Sequence, residues 1–179
     1  MGLTLTQAAS GAPVTVDQVK VHCGIDSSEW DLMLEAFIAA ATAHAEQFLN
    51  KAIGPQDWAL SIDAFADEIT LPLGPVTDVA SIHYLDEDRV QQTLDEGVYI
   101  LDLISTPQRI VRDPLESWPA TADLPNAVTV AFTTGYETAP PQVVQAILLA
   151  VGNWWMNREA GAFPAAAEQL LRPLRRIVI

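Results

Sequence analysis

Acidic side chains are the most abundant chemically active groups in this sequence, and none of them stands in a catalytic or metal-binding motif. Three consecutive acids, Asp86 to Asp88, could hold a hard cation through their oxygens, but their spacing does not match a calcium-binding loop. We interpret them as a solvated turn. The sequence also contains no G-x-S-x-G, no phosphate-cradling glycine loop and no H-E-x-x-H. These observations argue against an enzyme.

The histidines and the single cysteine are scattered rather than clustered. His44 lies among small alanines on a predicted helix and is typical of a surface or partly buried histidine, and His83 alternates with its neighbours as on an exposed sheet face. Cys23 has no second cysteine with which to form an internal disulfide, and we interpret it as a small buried hydrophobic residue. We therefore predict no catalytic residue, no cofactor and no metal ligand.

Trp154 and Trp155 are the remaining candidates for a binding site, because two indole rings can stack on a ligand. Adjacent residues of a helix point about 100° apart, so the two rings rarely line one pocket. We expect instead that one ring lies in the core and the other at an interface.

The charge of the chain is large and unevenly distributed. The net charge is −14 over 179 residues; residues 1–137 hold five Lys/Arg against 21 Asp/Glu, whereas residues 138–179 hold four against two. An acidic body should repel free nucleic acid. No apolar run is long enough to predict a membrane span, the first 13 residues lack the basic start of a secretory signal, and a lone cysteine fits a reducing cytoplasm.

The elements that would position these residues begin with helices. We predict a flexible N-terminus over residues 1–13 and then a helix from Val16 to Cys23, with Thr15 and Gln18 at capping-box spacing and Gly24 as its stop. An apolar stripe at helical period predicts a second helix from about Ser28, its expected cap, to Asn50.

The middle of the chain changes to the two-residue period of strands. Trp58 to Ile62 and Val128 to Thr133 alternate in this way, and shorter apolar segments between them predict further strands. These are residues 69–71, 79–85, 90–94, 98–103 and 109–111. We therefore predict an α+β fold with N-terminal helices, a central antiparallel β region and C-terminal helices.

The C-terminal part is predicted to contain a long apolar helix from Pro140 and Pro141 to about Asn157, a short helix from Ala165 to Leu171, and an extended tail. Two faces of the long helix are apolar. One is expected to pack on the β region: Val144, Ile147, Val151 and Trp155. The other is expected to contact another helix or a neighbouring subunit and supplies our candidate subunit-packing residues: Val143, Ala146, Ala150 and Trp154. We place residues 14–171 in a single domain and residues 172–179 in the tail.

Four segments in order resemble the phage head–tail connector, or adaptor, family, which includes the adaptor of phage-like gene transfer agents. They are WDLMLEAFIAAATAHAEQFLN (30–50), LPLGPVTDVASIHYLDED (71–88), PNAVTVAFTTGYE (125–137) and PPQVVQAILLAVGNWWMNREA (140–160). The resemblance covers about residues 13–173 and implies a structural protein. Trp155 stands where the family more often has tyrosine, and the Ile-Val-Ile ending has no counterpart.

The resemblance implies a ring, usually of twelve copies, under the portal at the capsid vertex. Such a ring extends the channel through which double-stranded DNA passes without specific binding, and it offers a surface to a stopper or other neck or tail protein. The partners would be the portal, the next neck protein and further copies of the chain, with no membrane, in the neck of a particle made in the bacterial cytoplasm. We expect the tail to be mobile in the free subunit and to bind the portal or a neighbouring subunit through three arginines and an apolar end: Arg172, Arg175, Arg176, Ile177, Val178 and Ile179.

Other readings remain open from the sequence. The chain could be another neck component, such as a stopper or tail-completion protein. A small carboxylate-dependent hydrolase has only the abundance of acids in its favour, and a ligand-binding domain has only the tryptophans. The tail could also be a chain end with no role.

Overall fold

The computed structural model describes residues 2–176 and contains four α-helices and two antiparallel sheets. The predicted mixture of helices with antiparallel strands is confirmed. The chain divides into two compact units: unit 1 comprises Met1–Ala9 and Pro55–Gly135, and unit 2 comprises Ser10–Gly54 and Tyr136–Ile179. The sequence predicted a single domain over residues 14–171. Local patterns do not reveal the two units, because unit 2 is assembled from two separated stretches of chain.

Unit 1 contains a sheet of five strands and a sheet of three. The larger has the order β1-β2-β8-β4-β5 and the smaller the order β3-β7-β6, with every neighbouring pair antiparallel. The strands are β1 (Gly2–Gln7), β2 (Gln56–Ile62), β3 (Glu68–Thr70), β4 (Val76–Leu85), β5 (Gln91–Thr93), β6 (Tyr99–Asp102), β7 (Arg109–Arg112) and β8 (Val128–Thr134).

The core of unit 1 follows the two-residue alternation of its strands. In β8, Val128, Val130 and Phe132 are buried, while the residues between them are half-buried. They pack with apolar residues from both sheets: Leu60, Ile69, Leu71, Val76, Val79, Ile82, Leu94 and Ile110. Asp86 fixes the turn between β4 and β5 by accepting hydrogen bonds from the backbone N–H of Asp88 (3.0 Å) and of Val90 (2.9 Å).

Strand β1 corrects the prediction of a flexible N-terminus. Gly2–Gln7 pairs along one side with β2, with Leu3 opposite Leu60 and Leu5 opposite Trp58. All six residues of β1 are exposed. The strand is therefore held by backbone pairing with a distant segment, and our prediction overlooked the short alternation of Leu3 and Leu5 with Thr4 and Thr6.

Unit 2 is built from helices, and the first of them forms as its caps predict. Helix α1 (Val16–Cys23) begins with the complete capping box of Thr15 and Gln18, and Gly24 ends it in the left-handed conformation at φ 67°. Helix α2 (Asp31–Leu49) starts three residues later than predicted. Ser28 does not cap it with its side chain; its backbone carbonyl accepts from the N–H of Asp31 instead.

The last two helices complete the core of unit 2. Helix α3 spans Pro141–Asn157, and α4 spans Ala165–Leu171, the range predicted for the short helix. The core includes apolar residues of all four helices and of the segments beside them: Val14, Val19, Leu34, Phe37, Ile38, Ala41, Ala45, Leu49, Ile53, Val143, Ala146, Ile147, Leu148, Ala150, Val151, Trp154, Phe163, Ala167 and Leu171.

Candidate interaction surfaces

The face of α3 that we assigned to subunit packing lies inside unit 2. Val143, Ala146 and Ala150 are fully buried, and Trp154 is 4% exposed. The Trp154 ring meets Phe37 of α2 edge to face, with 6.0 Å between ring centroids. These four residues belong to the helical core of unit 2, which agrees with the expected contact with another helix. The other expectation, contact with a neighbouring subunit, is corrected because their side chains are buried within the chain. Periodicity identified an apolar face but not which helix covers it.

The adjacent face of α3 also differs from our expectation. Val144, Ile147, Val151 and Trp155 belong to or pack against the helical core of unit 2, so the prediction that they pack on the β region is wrong. A helix that is apolar over most of its circumference can be enclosed by other helices as well as by a sheet.

Exposed apolar side chains remain on α3 and on α1. On α3, Leu149 is 37% exposed and Met156 is 83% exposed; on α1, Val21 is 86% exposed. Leu149 and Met156 lie seven residues apart, two helical turns, and so share one face. This face borders a cavity of about 370 Å³, which we call the α1–α3 groove, lined by His22, Cys23, Leu149, Gly152, Asn153, Trp155 and Met156. A second cavity, of about 410 Å³, shares His22 as a lining residue and includes Val21 and Leu148.

Gly152 sets the close approach of α1 to α3 at the floor of the groove. A Cβ atom at this position would lie 3.3 Å from two atoms of the His22 ring and 3.7 Å from the Cys23 Sγ. Contacts of 3.3 Å are tight, so a side chain at position 152 would require the His22 ring to move by a few tenths of an ångström. Glycine at this position thus lets the His22 ring lie close to α3.

Arg158, just after α3, lies between the indole rings of Trp155 and Trp30. The Arg158 guanidinium carbon lies 4.3 Å from the Trp155 ring centroid and 5.1 Å from that of Trp30. The two rings also meet edge to face at 5.7 Å. Cation–π contacts of this kind hold the C-terminal end of α3 against the segment before α2. Trp154 points into the core while Trp155 is half-buried, so the two indoles do not form one ligand-stacking wall.

The C-terminal segment is anchored on α2 as far as the structure describes it, which corrects the prediction of a mobile tail. Residues 172–174 form a 3-10 turn, and the Arg176 N–H donates to the Leu49 carbonyl over 2.9 Å. The Arg175 guanidinium carbon lies 5.1 Å from the Phe48 ring centroid. Partial burial lowers the pKa of Arg176. Ile177, Val178 and Ile179, the apolar end of the predicted docking tail, lie outside the described residues.

The histidines and the cysteine take structural positions. His44 is partly buried, as predicted, and stacks on Phe163 at 4.4 Å between centroids. His83 is half-buried and lies 3.1 Å from the hydroxyls of Ser81 and Thr93. Cys23 is half-buried rather than fully buried, and burial raises the pKa of its thiol, which disfavours the thiolate required of a nucleophile.

The described residues form neither a metal site nor a membrane span. Within residues 2–176, no three His, Cys, Asp or Glu side chains are grouped so that they could hold a metal ion. None of the helices in that range is both long and apolar enough to cross a membrane. Asp86 instead serves the β4–β5 turn, where its hydrogen bonds to the Gln92 side chain and to backbone N–H groups lower its pKa.

The α1–α3 groove is the candidate surface that the sequence analysis missed. The weak signal was Met156, which falls outside the buried stripe of α3 and lines the groove. Single apolar residues on a surface are common. The groove beside Met156 results from the packing of α1 on α3, which no local pattern in the sequence shows.

A comparison with protein families bears out the resemblance drawn from the sequence. The model of the phage gp6-like head–tail connector protein family matches residues 13–96. The resemblance of this chain to the head–tail connector family is therefore confirmed. No curated protein sequence matches the chain significantly.

Solved structures extend the likeness of fold to the whole chain. A chain from the neck of an empty gene transfer agent (GTA) particle, computed with C6 symmetry, is 22% identical with a TM-score of 0.80. A chain from the virion of a native GTA particle is 22% identical with a TM-score of 0.81. A chain from the neck of a native GTA particle, computed with C12 symmetry, is 23% identical with a TM-score of 0.79. Each likeness covers 100% of this chain and 97% of the other.

Proposed function

We propose that this protein is a structural head–tail adaptor. Copies of it would form a ring, with twelve as the expected number, under the portal of a tailed phage or gene transfer agent. The ring would extend the DNA channel and present a docking surface to the next neck or tail protein. The observation that carries this proposal is the match of residues 13–96 to head–tail connectors together with a fold shared over the full chain with proteins of GTA particles.

The charge distribution supports the proposed channel. Unit 1 holds 14 Asp/Glu and three Lys/Arg, a net charge of −11, and unit 2 holds nine Asp/Glu and six Lys/Arg, a net charge of −3. Double-stranded DNA carries dense negative charge, so an acidic protein offers it few binding contacts. A ring of such subunits would let DNA pass without retaining it.

The proposed role is structural rather than enzymatic. Burial raises the pKa of the Cys23 thiol, which disfavours a thiolate nucleophile. His83 lies 3.1 Å from the Ser81 hydroxyl, but its other ring nitrogen faces the Thr93 hydroxyl rather than an orienting carboxylate. A stopper or tail-completion protein is the neighbouring alternative, and it differs from an adaptor in contacting the ring below the portal rather than the portal itself. Binding to isolated portal therefore separates these two roles.

Removal of the gene from the producing bacterium tests the proposal. We expect DNA-filled heads and free tails to accumulate without joining, and expression of the protein in trans to restore tailed particles. Purified protein should bind purified portal in a pull-down. Normal tailed particles from the deletion strain would contradict a neck role, and binding only to portal already covered by another neck protein would favour the stopper alternative.

We also propose that the C-terminal tail docks on the portal. Arg175 and Arg176 are anchored at the end of α2, so the proposal now concerns chiefly Ile177, Val178 and Ile179, with Arg172 exposed nearby in sequence. β-Branched residues favour extended backbone and can add to a sheet edge or fill apolar pockets of a partner. A truncation meant to spare the fold must begin after Arg176, because Arg176 bonds to Leu49 and Leu174 packs against the core.

Truncation after Arg176 should leave the unfolding midpoint unchanged and reduce portal binding at least about tenfold, equivalent to about 1.4 kcal/mol. A variant of unchanged length with Ser at positions 177–179 is the matched control, and it should lose as much binding as the truncation if the apolar side chains are responsible. Portal binding at the normal level by both variants would contradict the docking role.

A further inference from the structure

We propose that the α1–α3 groove of one copy receives the loop around Ile104 from the neighbouring copy, and that this contact joins subunits in the ring. The inference rests on the proposed function, because a closed ring requires each copy to present two different complementary surfaces. The groove lies on unit 2 and the loop on unit 1. The partner that fits the groove is thus a second copy of this chain.

The groove has the properties of a receptor for an apolar side chain. It encloses about 370 Å³, more than one aliphatic side chain fills, and its lining includes Leu149, Trp155 and Met156. Met156 is 83% exposed in the isolated chain. Burial of such apolar area is the main favourable contribution to protein association.

Ile104 is an exposed apolar residue on the loop between β6 and β7, and hydrogen bonds within the loop fix its conformation. Its side chain is 97% exposed. The Asp102 carboxylate anchors the base of the loop, accepting from the Ser105 N–H over 3.0 Å and pairing with the Arg109 Nε over 3.0 Å. The Gln108 amide donates to the Leu103 carbonyl over 3.4 Å. A loop that is already ordered loses less conformational entropy on binding.

Both the Ile104 loop and the lining of the groove lack acidic side chains, although the protein as a whole is acidic. Residues 103–108 (LISTPQ) contain no charged side chain, although unit 1 carries a net −11. The residues lining the groove include no Asp or Glu. Two copies that each carry −14 repel one another, and contact between the loop and the groove places no Asp or Glu of either surface at its centre.

Among the described residues of unit 1, Leu115 is also a large apolar side chain that is almost fully exposed, at 93%. It suits the groove less well than Ile104. Asp113 and Glu116 flank it, and the Asp113 carboxylate accepts from the Leu115 N–H over 2.8 Å. Inserting Leu115 would bring two carboxylates to an apolar rim, where burial of charge without a partner is unfavourable. Leu115 is therefore a matched control for Ile104.

Thiol cross-linking tests the contact directly, because Cys23 lines the groove and is the only cysteine of the chain. We would prepare Ile104→Cys and Leu115→Cys in the full chain, assemble each into portal-bearing particles, and treat them with a short bis-maleimide. The same two changes in a Cys23→Ser background control for cross-links that do not use the groove. Electron microscopy of the untreated particles would establish that the ring has formed.

We expect Ile104→Cys rings to give a ladder of dimers and higher multimers that disappears in the Cys23→Ser background, and Leu115→Cys rings to give at least tenfold less. Intact rings without a Cys23-dependent ladder from Ile104→Cys, or with an equal ladder from Leu115→Cys, would overturn the inference while leaving the adaptor role standing. If unaltered protein forms no ring in particles that contain it, the proposed function and this inference both fail.

Discussion

The two units of the chain differ in what they offer to a partner. Unit 1 is a β structure that carries most of the negative charge, and its almost fully exposed apolar side chains, Ile104 and Leu115, lie on loops. Unit 2 is helical and nearly balanced in charge. Its exposed Leu149 and Met156 line the α1–α3 groove, whereas Leu32 lies outside it. One unit thus presents projections on an acidic surface, and the other presents an apolar concavity.

This difference suggests how an acidic protein can assemble with itself. Contact between two copies of unit 1 would bring together two net charges of −11, whereas contact of unit 1 with unit 2 brings −11 against −3. Repulsion therefore disfavours contact between two copies of unit 1. In the account proposed above, the loop and the groove lie on different units, so their contact is head-to-tail, the type that closes rings, and the apolar groove supplies the affinity.

The largest expected effect concerns the cores of the two units. Trp154→Ala removes a buried ring from unit 2 and should lower the free energy of unfolding by about 3–5 kcal/mol. Trp118→Ala in unit 1 should cost about 1–3 kcal/mol, because this half-buried ring mainly stacks on Phe65 at 4.7 Å and donates to the Ala66 carbonyl over 2.9 Å. Urea unfolding followed by circular dichroism gives both values, and equal losses would show that our ranking of the two sites is wrong.

A smaller effect should separate the groove from the rest of the unit 2 surface. Met156→Glu places a carboxylate at the groove and should weaken ring assembly at least about tenfold, equivalent to about 1.4 kcal/mol. Leu32→Glu is its matched control, since Leu32 on α2 is 82% exposed and Met156 is 83% exposed. Assembly can be followed as the yield of tailed particles in a complementation assay. Equal yields from the two variants would count against the groove as a contact surface.

The smallest expected effect is on the pH dependence of folding stability, through Asp102 at the base of the Ile104 loop. Hydrogen bonds from Ser105 and from Arg109 lower the pKa of Asp102 from 3.8 to about 2. A carboxyl with a lower pKa in the folded state stabilises the fold above its unfolded pKa, and this contribution is lost as the pH falls from about 4 towards 2. Asp102→Asn should therefore be less stable than the parent at neutral pH, with a difference that shrinks over that range.

Thermal unfolding between pH 2 and 7 measures the Asp102 difference. Asp123→Asn, which removes an exposed acid from the loop before β8, is the control for a simple change of charge. A gap between parent and Asp102→Asn that stays constant down to pH 2 would exclude the proposed role of the carboxylate.

Helix ends could be predicted from the sequence because their signals are local, whereas strand pairing could not. Thr15 and Gln18 cap α1 through residues three apart, and Gly24 ends it, so these signals lie within the helix itself. Strand pairing depends on segments that are far apart in sequence: β8 lies between β2 and β4, and β1 pairs with β2 across about 50 residues. The alternation of Leu3 to Thr6 is compatible with a strand, but it does not specify β2 as the partner.

The interaction surfaces were harder to predict for the same reason. The apolar pattern of α3 identified residues that avoid water, but helix–helix packing decided that Trp154 is covered within the chain while Met156 remains exposed. The tail arginines looked free because their anchor, the end of α2, lies more than 120 residues earlier in the sequence. Family resemblance indicated the class of protein. The exposed groove could not be predicted, because it is formed by the packing of α1 on α3.

Reconstruction of the particle neck tests the central claim most directly. The account predicts a closed ring of this protein between the portal and the next neck component, with twelve copies related by rotation about the DNA channel and identical head-to-tail contacts between neighbours. One or two copies per vertex, or copies placed away from the channel axis, would contradict it.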